Sequence, residues 1–343
     1  MARMFRPREG GNLRPERRAE RLRRARKNIG FNHRGDKFRM WNPLVSVVTP
    51  SFNQAKFLRE ALLSVELQDY RPIHQIVIDG GSKDGSVELL KEWDAADHGP
   101  GYTFDWISAP DRGNTDGVNK GFDQARGEVV GWLNSDDVYF DRHAISTSVL
   151  ALDEHKGIDV VFGDVALISE DGGLQMIWCF PPFDYQRALR GYIIPQPTVF
   201  FRRCVIDRHR IDPNIPLTPD LRYWLEIGRE HRFLKISRVQ AADRDHGARL
   251  GRVAKTGNVD TSREARAAHG GSAKQKRLDI IFDGCWRVAM RFRGLVHVLK
   301  LASRNDLANK SAFPIWIDSI PRIIKRQLSM RVHARAPMGP RRS

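Results

Sequence analysis

Short apolar runs alternate with amphipathic helical segments, and each run ends in a cluster of polar residues; this alternation constrains the fold more than any other feature of the chain. Leu44-Val-Ser-Val-Val-Thr49 is β-branched, stops at Pro50-Ser51, and reads as a buried strand. Between Ala55 and Leu67, the apolar residues Phe57, Leu58, Ala61, Leu62 and Val65 recur at helical spacing. Ile73 to Asp79 is a second apolar run, closed by Gly80-Gly81-Ser82-Lys83-Asp84-Gly85, and Ser86 to Trp93 begins a second helix. Strand, helix, strand and helix at these intervals predict an α/β fold with a mostly parallel central sheet flanked by crossover helices.

The pattern continues with a strand at Phe104 to Ser108, a helix at Thr115 to Ala125 and a strand at Glu128 to Leu133. That strand runs into Asn134-Ser135-Asp136-Asp137. Further strands are expected from Asp159 and at Thr198 to Phe201, with a hairpin at Glu170 to Gly173 and a helix over Asp220 to Arg229. Residues 248–275 are polar and rich in Gly, Arg and Ala, as in a linker. The expected organisation is therefore a basic, disordered arm (1–42), a catalytic α/β domain (43–247), a linker (248–275) and a basic helical extension (276–343).

The net charge of +16 suggests a nucleic-acid partner until it is located. Residues 1–39 carry a net +10 and residues 322–343 a net +7, so the body between them is close to neutral. The charge belongs to the tails. It suits an anionic membrane surface or plain solvation, and nucleic acid is not expected. Three widely spaced cysteines give neither a disulfide framework nor a zinc spacing, in keeping with a reducing cytoplasm. The N-terminal arginines precede no apolar run, and no segment offers the roughly 18 apolar residues of a spanning helix. A cytoplasmic protein is expected, with a peripheral place at the inner membrane face open to it. From Ile280 to Ala302 apolar and basic residues interleave; such a helix packs on the domain or lies on an anionic leaflet.

In open α/β sheets ligands bind beyond the carboxyl ends of strands. Three such ends are polar here: Pro50 to Asn53, Asp79 to Asp84, and Asn134 to Asp137. Adjacent carboxylates after a buried strand repel each other unless a cation is shared with another anion. Mg²⁺ or Mn²⁺ bound by one or two carboxylates and a substrate diphosphate meets that need. The chain shows neither a Gly-x-Gly-x-x-Gly turn nor a Gly-Lys-Ser/Thr loop, which leaves nucleotide-sugar or nucleotidyl transfer.

Val45 to Asn53, Ile76 to Ser86 and Gly131 to Asp137, taken together, resemble the family 2 glycosyltransferases of the GT-A fold. Pro110-Asp-Arg-Gly113 with Asp116 to Gly121 is similar to a bacterial branch that builds surface polysaccharides. The resemblance implies an inverting transferase with a nucleotide-sugar donor and a glycan or lipid-linked acceptor. It places Pro50 and Phe52 at the nucleotide base, Asp79 on base or ribose, Asp136 near the donor ribose and Asp137 on the metal. Asp220 falls where the family's catalytic base stands, though an aspartate there also suits a helix N-cap. Gln196 is implied on the acceptor side, or else satisfies loop backbone. His246 matches a C-terminal histidine that reaches metal or diphosphate, or is structural. Arg112 and Lys120 are diphosphate partners or solvated surface cations. Two departures stand out: Gly80 and Asn134 occupy positions where the family commonly has aspartate. From another class, a catalytically silent GT-A scaffold that binds membrane or nucleic acid through its basic tails is the alternative.

Overall fold

The structure, a computed structural model, describes residues 41–190, 194–214, 218–247, 257–271, 288–298 and 323. The expected basic arm, apart from Trp41 and Asn42, lies outside the described residues. In chain order the elements are β1 (Val45–Ser51), α1 (Ala55–Glu66), β2 (Ile73–Asp79), α2 (Ser86–Asp94), β3 (Tyr102–Ser108), α3 (Asn114–Gln124) and β4 (Val129–Trp132). There follow β5 (Val138–Tyr139), α4 (Ala144–Glu154), β6 (Val160–Ser169), β7 (Leu174–Trp178), α5 (Tyr185–Arg190), β8 (Phe200–Arg202) and α6 (Arg203–Arg208). The order closes with α7 (Pro219–Ile227), β9 (Phe233–Asp245) and α8 (Gly257–Ala268).

The strands form one sheet in the order β3-β2-β1-β4-β8-β6-β9-β5, with β7 added on β6. The block β3-β2-β1-β4 is parallel, and β8 runs antiparallel to both β4 and β6. Every residue of β1 and β2 is buried, as a parallel strand covered on both faces requires. The chain steps outward from β1 to β3 and then returns to β4 on the other side of β1. That reversal opens a crevice where β1 and β4 end.

Phe57, Leu58, Ala61, Leu62 and Val65 of α1 are all buried, and Leu58 and Leu62 pack with Val77, Leu90 and Trp93. Burying each large side chain contributes about 1.5–3 kcal/mol. On the opposite face α3 lies so close to β1 that a Cβ on Gly121 would sit 2.2 Å from Val48 Cγ1, which only glycine avoids. Val118 and Phe122 of α3 join Trp132 of β4 and Tyr223 and Trp224 of α7 in the largest core cluster.

A polar latch ties β1, β2 and β3 at their starting ends. The Ser46 hydroxyl oxygen accepts the N–H groups of Arg126 (3.1 Å) and Gly127 (2.9 Å) and lies 3.2 Å from His74 Nδ1. His74 Nε2 faces Asp105 at 2.9 Å, and Arg126 closes on the same carboxylate. Burial pulls the His74 pKa below its ordinary 6.5, against the pull of Asp105. The unfolded chain therefore takes up this proton first as pH falls, and stability present above pH 6.5 is lost below it. Urea midpoints measured against pH should fall on acidification below pH 6.5. The fall should be smaller in His74→Gln, and equal slopes would contradict the latch.

Within the segment expected to be a linker, Gly257–Ala268 is a helix whose Ala265 is buried against Ala188, Leu189, Leu221 and Leu225. Ser262 and Ala265, one turn apart, are both buried and give that segment a narrow packing face that its polar composition hides. In the extension, residues 288–298 are helical; Val298 packs with Val138, Ile168 and Ala242, while Val288, Phe292 and Val296 are exposed. The rest of the extension, apart from 323, and the basic tails lie outside the described residues. No described helix is long and apolar enough to cross a membrane.

Candidate active site

The ends of β1 and β2 are stitched together by side chains acting on backbone. Asn53, held in the left-handed region at φ 52°, receives the Lys83 N–H on Oδ1 (3.0 Å), and its own N–H donates to the Ser82 hydroxyl (2.7 Å). Asp84 accepts the N–H of Ala55 (2.9 Å) and of Ser86 (3.1 Å) as well as the Ser86 hydroxyl (2.6 Å). Burial opposes its charge, but these hydrogen bonds outweigh that and hold its carboxyl below the ordinary range. The result is a rigid rim on which Phe52 stands 58% exposed beside buried Pro50.

Asp79 ends β2. Its carboxylate is fully buried and accepts the N–H groups of Gly81 (3.1 Å) and Ser82 (2.9 Å), the Ser108 hydroxyl (2.7 Å) and the Ser82 hydroxyl. Asp79 thereby holds the loop after β2, with three of these hydrogen bonds on Oδ2 and one on Oδ1. Gly80 next to it explains the first departure. A Cβ at Gly80 would lie 3.0 Å from Asp111 Oδ2, and one at Gly117 would lie 3.4 Å from the same oxygen and from Pro50 Cβ. The Asp111 carboxylate thus occupies the space that a side chain at position 80 would fill. Sequence reasoning singled out the Pro110 to Gly113 stretch but not this residue.

The second departure has a partner as well. Asn134 Nδ2 donates to Gln196 Oε1 (2.9 Å), while Asn134 Oδ1 accepts from Trp132 Nε1 (3.0 Å). Gln196 Nε2 in turn donates to the Trp132 carbonyl (2.7 Å). An aspartate at 134 would set a carboxylate against the Gln196 oxygen, so this network requires an amide. Gln196 is buried, and both ends of its amide are used in this network.

At the end of β4, Asp136, Asp137 and His246 come together. Asp136 Oδ2 lies 3.0 Å from His246 Nε2, and the His246 ring rests on Phe57 with centroids 4.7 Å apart. Asp137 is buried, and its Oδ1 accepts the Arg244 backbone N–H at 3.1 Å. Arg244 is the organiser that sequence reasoning missed. Only 1% exposed, its guanidinium donates to the carbonyls of Asp136 and Glu170 (2.9 Å each) and to Glu60 Oε2 (2.5 Å), above the Phe57 ring. The residues fit a divalent cation: two carboxylates and an imidazole at one strand end form a hard-oxygen and nitrogen donor set. They do not enclose one. Among the described residues, the triads whose ligand atoms crowd within 4.8 Å lie elsewhere, so a bound diphosphate has to complete the coordination.

Asp220 lies in the first turn of α7, not at its N-cap, which is Thr218 in a left-handed conformation at φ 54°. One turn on, the Trp224 ring stands 6.4 Å from the ring of Trp132, two residues before Asn134. Residues four apart share a helix face, so α7 presents Asp220 on the side that packs against the end of β4. Arg112 and Lys120 are not brought to the carboxylate pair. Both bind Asp116, at 2.9 and 3.1 Å, and the Arg112 guanidinium chiefly holds that carboxyl down to about 2. The two cations and Asp116 form one ion-pair cluster. Asp164 is buried against Lys235 (2.7 Å), a packing role.

Residues 46–202 match the family model described as Glycosyl transferase family 2. A glycosyltransferase of Mycobacterium tuberculosis, described as uncharacterized, is 34% identical over 163 residues, covering 46% of this chain and 58% of the relative. The chain thus spans little more than half of that relative's length. TuaG of Bacillus subtilis, named for teichuronic acid biosynthesis, is 28% identical over 193 residues, covering 54% of this chain and 73% of TuaG. Among solved structures, S. aureus TarS 1–349 superposes with a TM-score of 0.50 at 16% identity, over 68% of this chain and 67% of TarS 1–349. That likeness supports the α/β GT-A architecture and nothing finer.

Proposed function

We propose that this chain, whose residues 46–202 match the glycosyltransferase family 2 model, is a family 2 glycosyltransferase that transfers a sugar with inversion from a nucleotide-sugar donor to a hydroxyl of a glycan or lipid-linked acceptor in surface-polysaccharide synthesis. The carrying observation is the convergence of Asp136, Asp137 and His246 on the Arg244 clamp at the end of β4. The Bacillus relative named for teichuronic acid biosynthesis supports the polysaccharide setting.

The nucleotide base enters beside Pro50 and Phe52, with Asp79 on base or ribose and Asp111, packed over Gly80, as a second carboxylate beside it. Asp136 meets the donor ribose, and Asp137 with His246 would hold Mn²⁺ or Mg²⁺. When bound, such an ion offsets the charge that develops on the departing nucleoside diphosphate. Asp220 takes the proton from the acceptor hydroxyl as its oxygen bonds to the anomeric carbon and the bond to the diphosphate breaks. The exposed stripe of Val288, Phe292 and Val296, on a helix that also carries Arg291 and Arg293, suits an anionic leaflet that presents a lipid-linked acceptor.

Asp220→Asn tests the base. Removing a general base costs about 10²–10⁴-fold in turnover, so kcat for transfer should fall in that range while the KM for donor changes little. A kcat within twofold of the parent would remove Asp220 from the chemistry. Asp111→Ala tests the base pocket. A lost hydrogen bond to the base of about 1 kcal/mol raises the donor KM about fivefold and leaves kcat unchanged. An unchanged KM would return Asp111 to a purely structural place.

A further inference from the structure

Three segments meet at the edge of the sheet opposite the crevice. His209 follows α6, which continues β8, and Arg202 of β8 pairs with Val129 at the start of β4. Glu230 and His231 lie between α7 and β9, and Phe233 of β9 pairs with Val160 at the start of β6. The two histidines are 7% exposed each, and their rings meet edge to face with centroids 5.3 Å apart.

Each ring is oriented by a carboxylate behind it. His231 Nδ1 faces Asp159 Oδ2 at 3.1 Å, and His209 Nδ1 faces Glu226 Oε1 at 3.3 Å. With Nδ1 of each ring turned to the carboxylate behind it, Nε2 is the nitrogen left to ligate. Neither Nε2 atom has a hydrogen-bond partner, although both are buried. Buried polar atoms without partners are costly, and two facing one another ask for a shared occupant. Glu230 supplies the third donor: its Oε2 stands 3.3 Å from His209 Nε2, and the three ligand atoms lie within 4.8 Å of one another.

We infer that His209 Nε2, His231 Nε2 and Glu230 Oε2 form a second metal site that takes one Zn²⁺, with water in the fourth position. Zinc bonds of about 2.0–2.1 Å to nitrogen and oxygen put neighbouring tetrahedral ligands about 3.3–3.4 Å apart, the separation of His209 and Glu230. The side chain of Glu230 is exposed enough to swing onto the ion, whereas the histidines are held by packing. Carboxylates behind both imidazoles are the usual second support of zinc-bound histidine. Imidazole-rich donors select Zn²⁺ over Mg²⁺, so this site and the carboxylate pair at Asp136–Asp137 call for different ions. Its role is to pin the end of α6, the end of α7 and the start of β9 together, on the edge away from the chemistry.

Untagged full-length protein, stripped with a chelator, provides the test, with Zn²⁺ titrated in and Co²⁺ as a visible-absorption probe of tetrahedral coordination. The expected result is about one equivalent of Zn²⁺ per chain with a higher Tm on loading. His231→Gln and Glu230→Gln should each weaken binding at least about tenfold, and Glu226→Gln, behind His209, about 10–100-fold. Glu230→Gln changes an exposed side chain, so it reports on the ligand even if a histidine variant misfolds. Asp137→Asn, at the other edge, should bind Zn²⁺ like the parent. Absence of Zn²⁺ binding, or binding of equal affinity in Glu230→Gln and His231→Gln, would overturn the site, as would loss of the single equivalent in Asp137→Asn alone.

Discussion

Asp137→Asn is expected to lower sugar transfer by about 10³-fold or more, a loss of roughly 4 kcal/mol of transition-state stabilisation, with the fold retained. The asparagine keeps an oxygen to accept the Arg244 N–H, which Asp137 Oδ1 now accepts at 3.1 Å, so the local backbone has no reason to move. What disappears is the negative charge. A divalent ion shared between protein and diphosphate draws on few protein ligands, and removing the charge of one cannot be made good by water. Urea midpoints within about 1 kcal/mol of the parent, together with lost transfer, separate a missing ligand from a damaged fold. Transfer close to the parental rate would remove Asp137 from the site.

Arg244→Leu is expected to cost about 2–4 kcal/mol of stability and to abolish transfer as well. The leucine fills part of the buried volume but leaves the carbonyls of Asp136 and Glu170 without their donors. Glu60 loses its partner too, but it is partly exposed and costs less. Arg244→Lys should recover only part of the loss, since one ammonium cannot reach three acceptors set around a planar fork. Denaturant midpoints for the three proteins decide the matter. A lysine variant as stable as the parent would show that charge alone, not the fork, holds the strand end.

Much of the fold is legible because its cause is local. Phe57, Leu58, Ala61, Leu62 and Val65 mark the buried face of α1 by spacing alone, and the β-branched runs that form β1 and β2 announce strands covered on both faces. β9 escapes because Arg238, Asp243, Arg244 and Asp245 break up its apolar alternation; its inward residues are satisfied by partners far away in the chain. The site divides the same way. The strand-end clusters follow from order and topology, whereas the place of His246, which lies 3.0 Å from Asp136, is legible only through the family resemblance. The Asp111 carboxylate filling the space above Gly80, the amide exchange between Asn134 and Gln196, and the capture of both Arg112 and Lys120 by Asp116 do not. Each depends on which side chain a neighbouring loop happens to present, and neither pattern nor spacing encodes that.

The most direct test is turnover of purified protein with a panel of UDP-, GDP- and dTDP-sugars, followed by release of nucleoside diphosphate with and without Mn²⁺ or Mg²⁺. The expected result is release from one nucleotide class, dependent on the added ion and absent from Asp137→Asn. Release from none of the donors, or release that neither the ion nor Asp137 affects, would contradict a nucleotide-sugar transferase built on the end of β4.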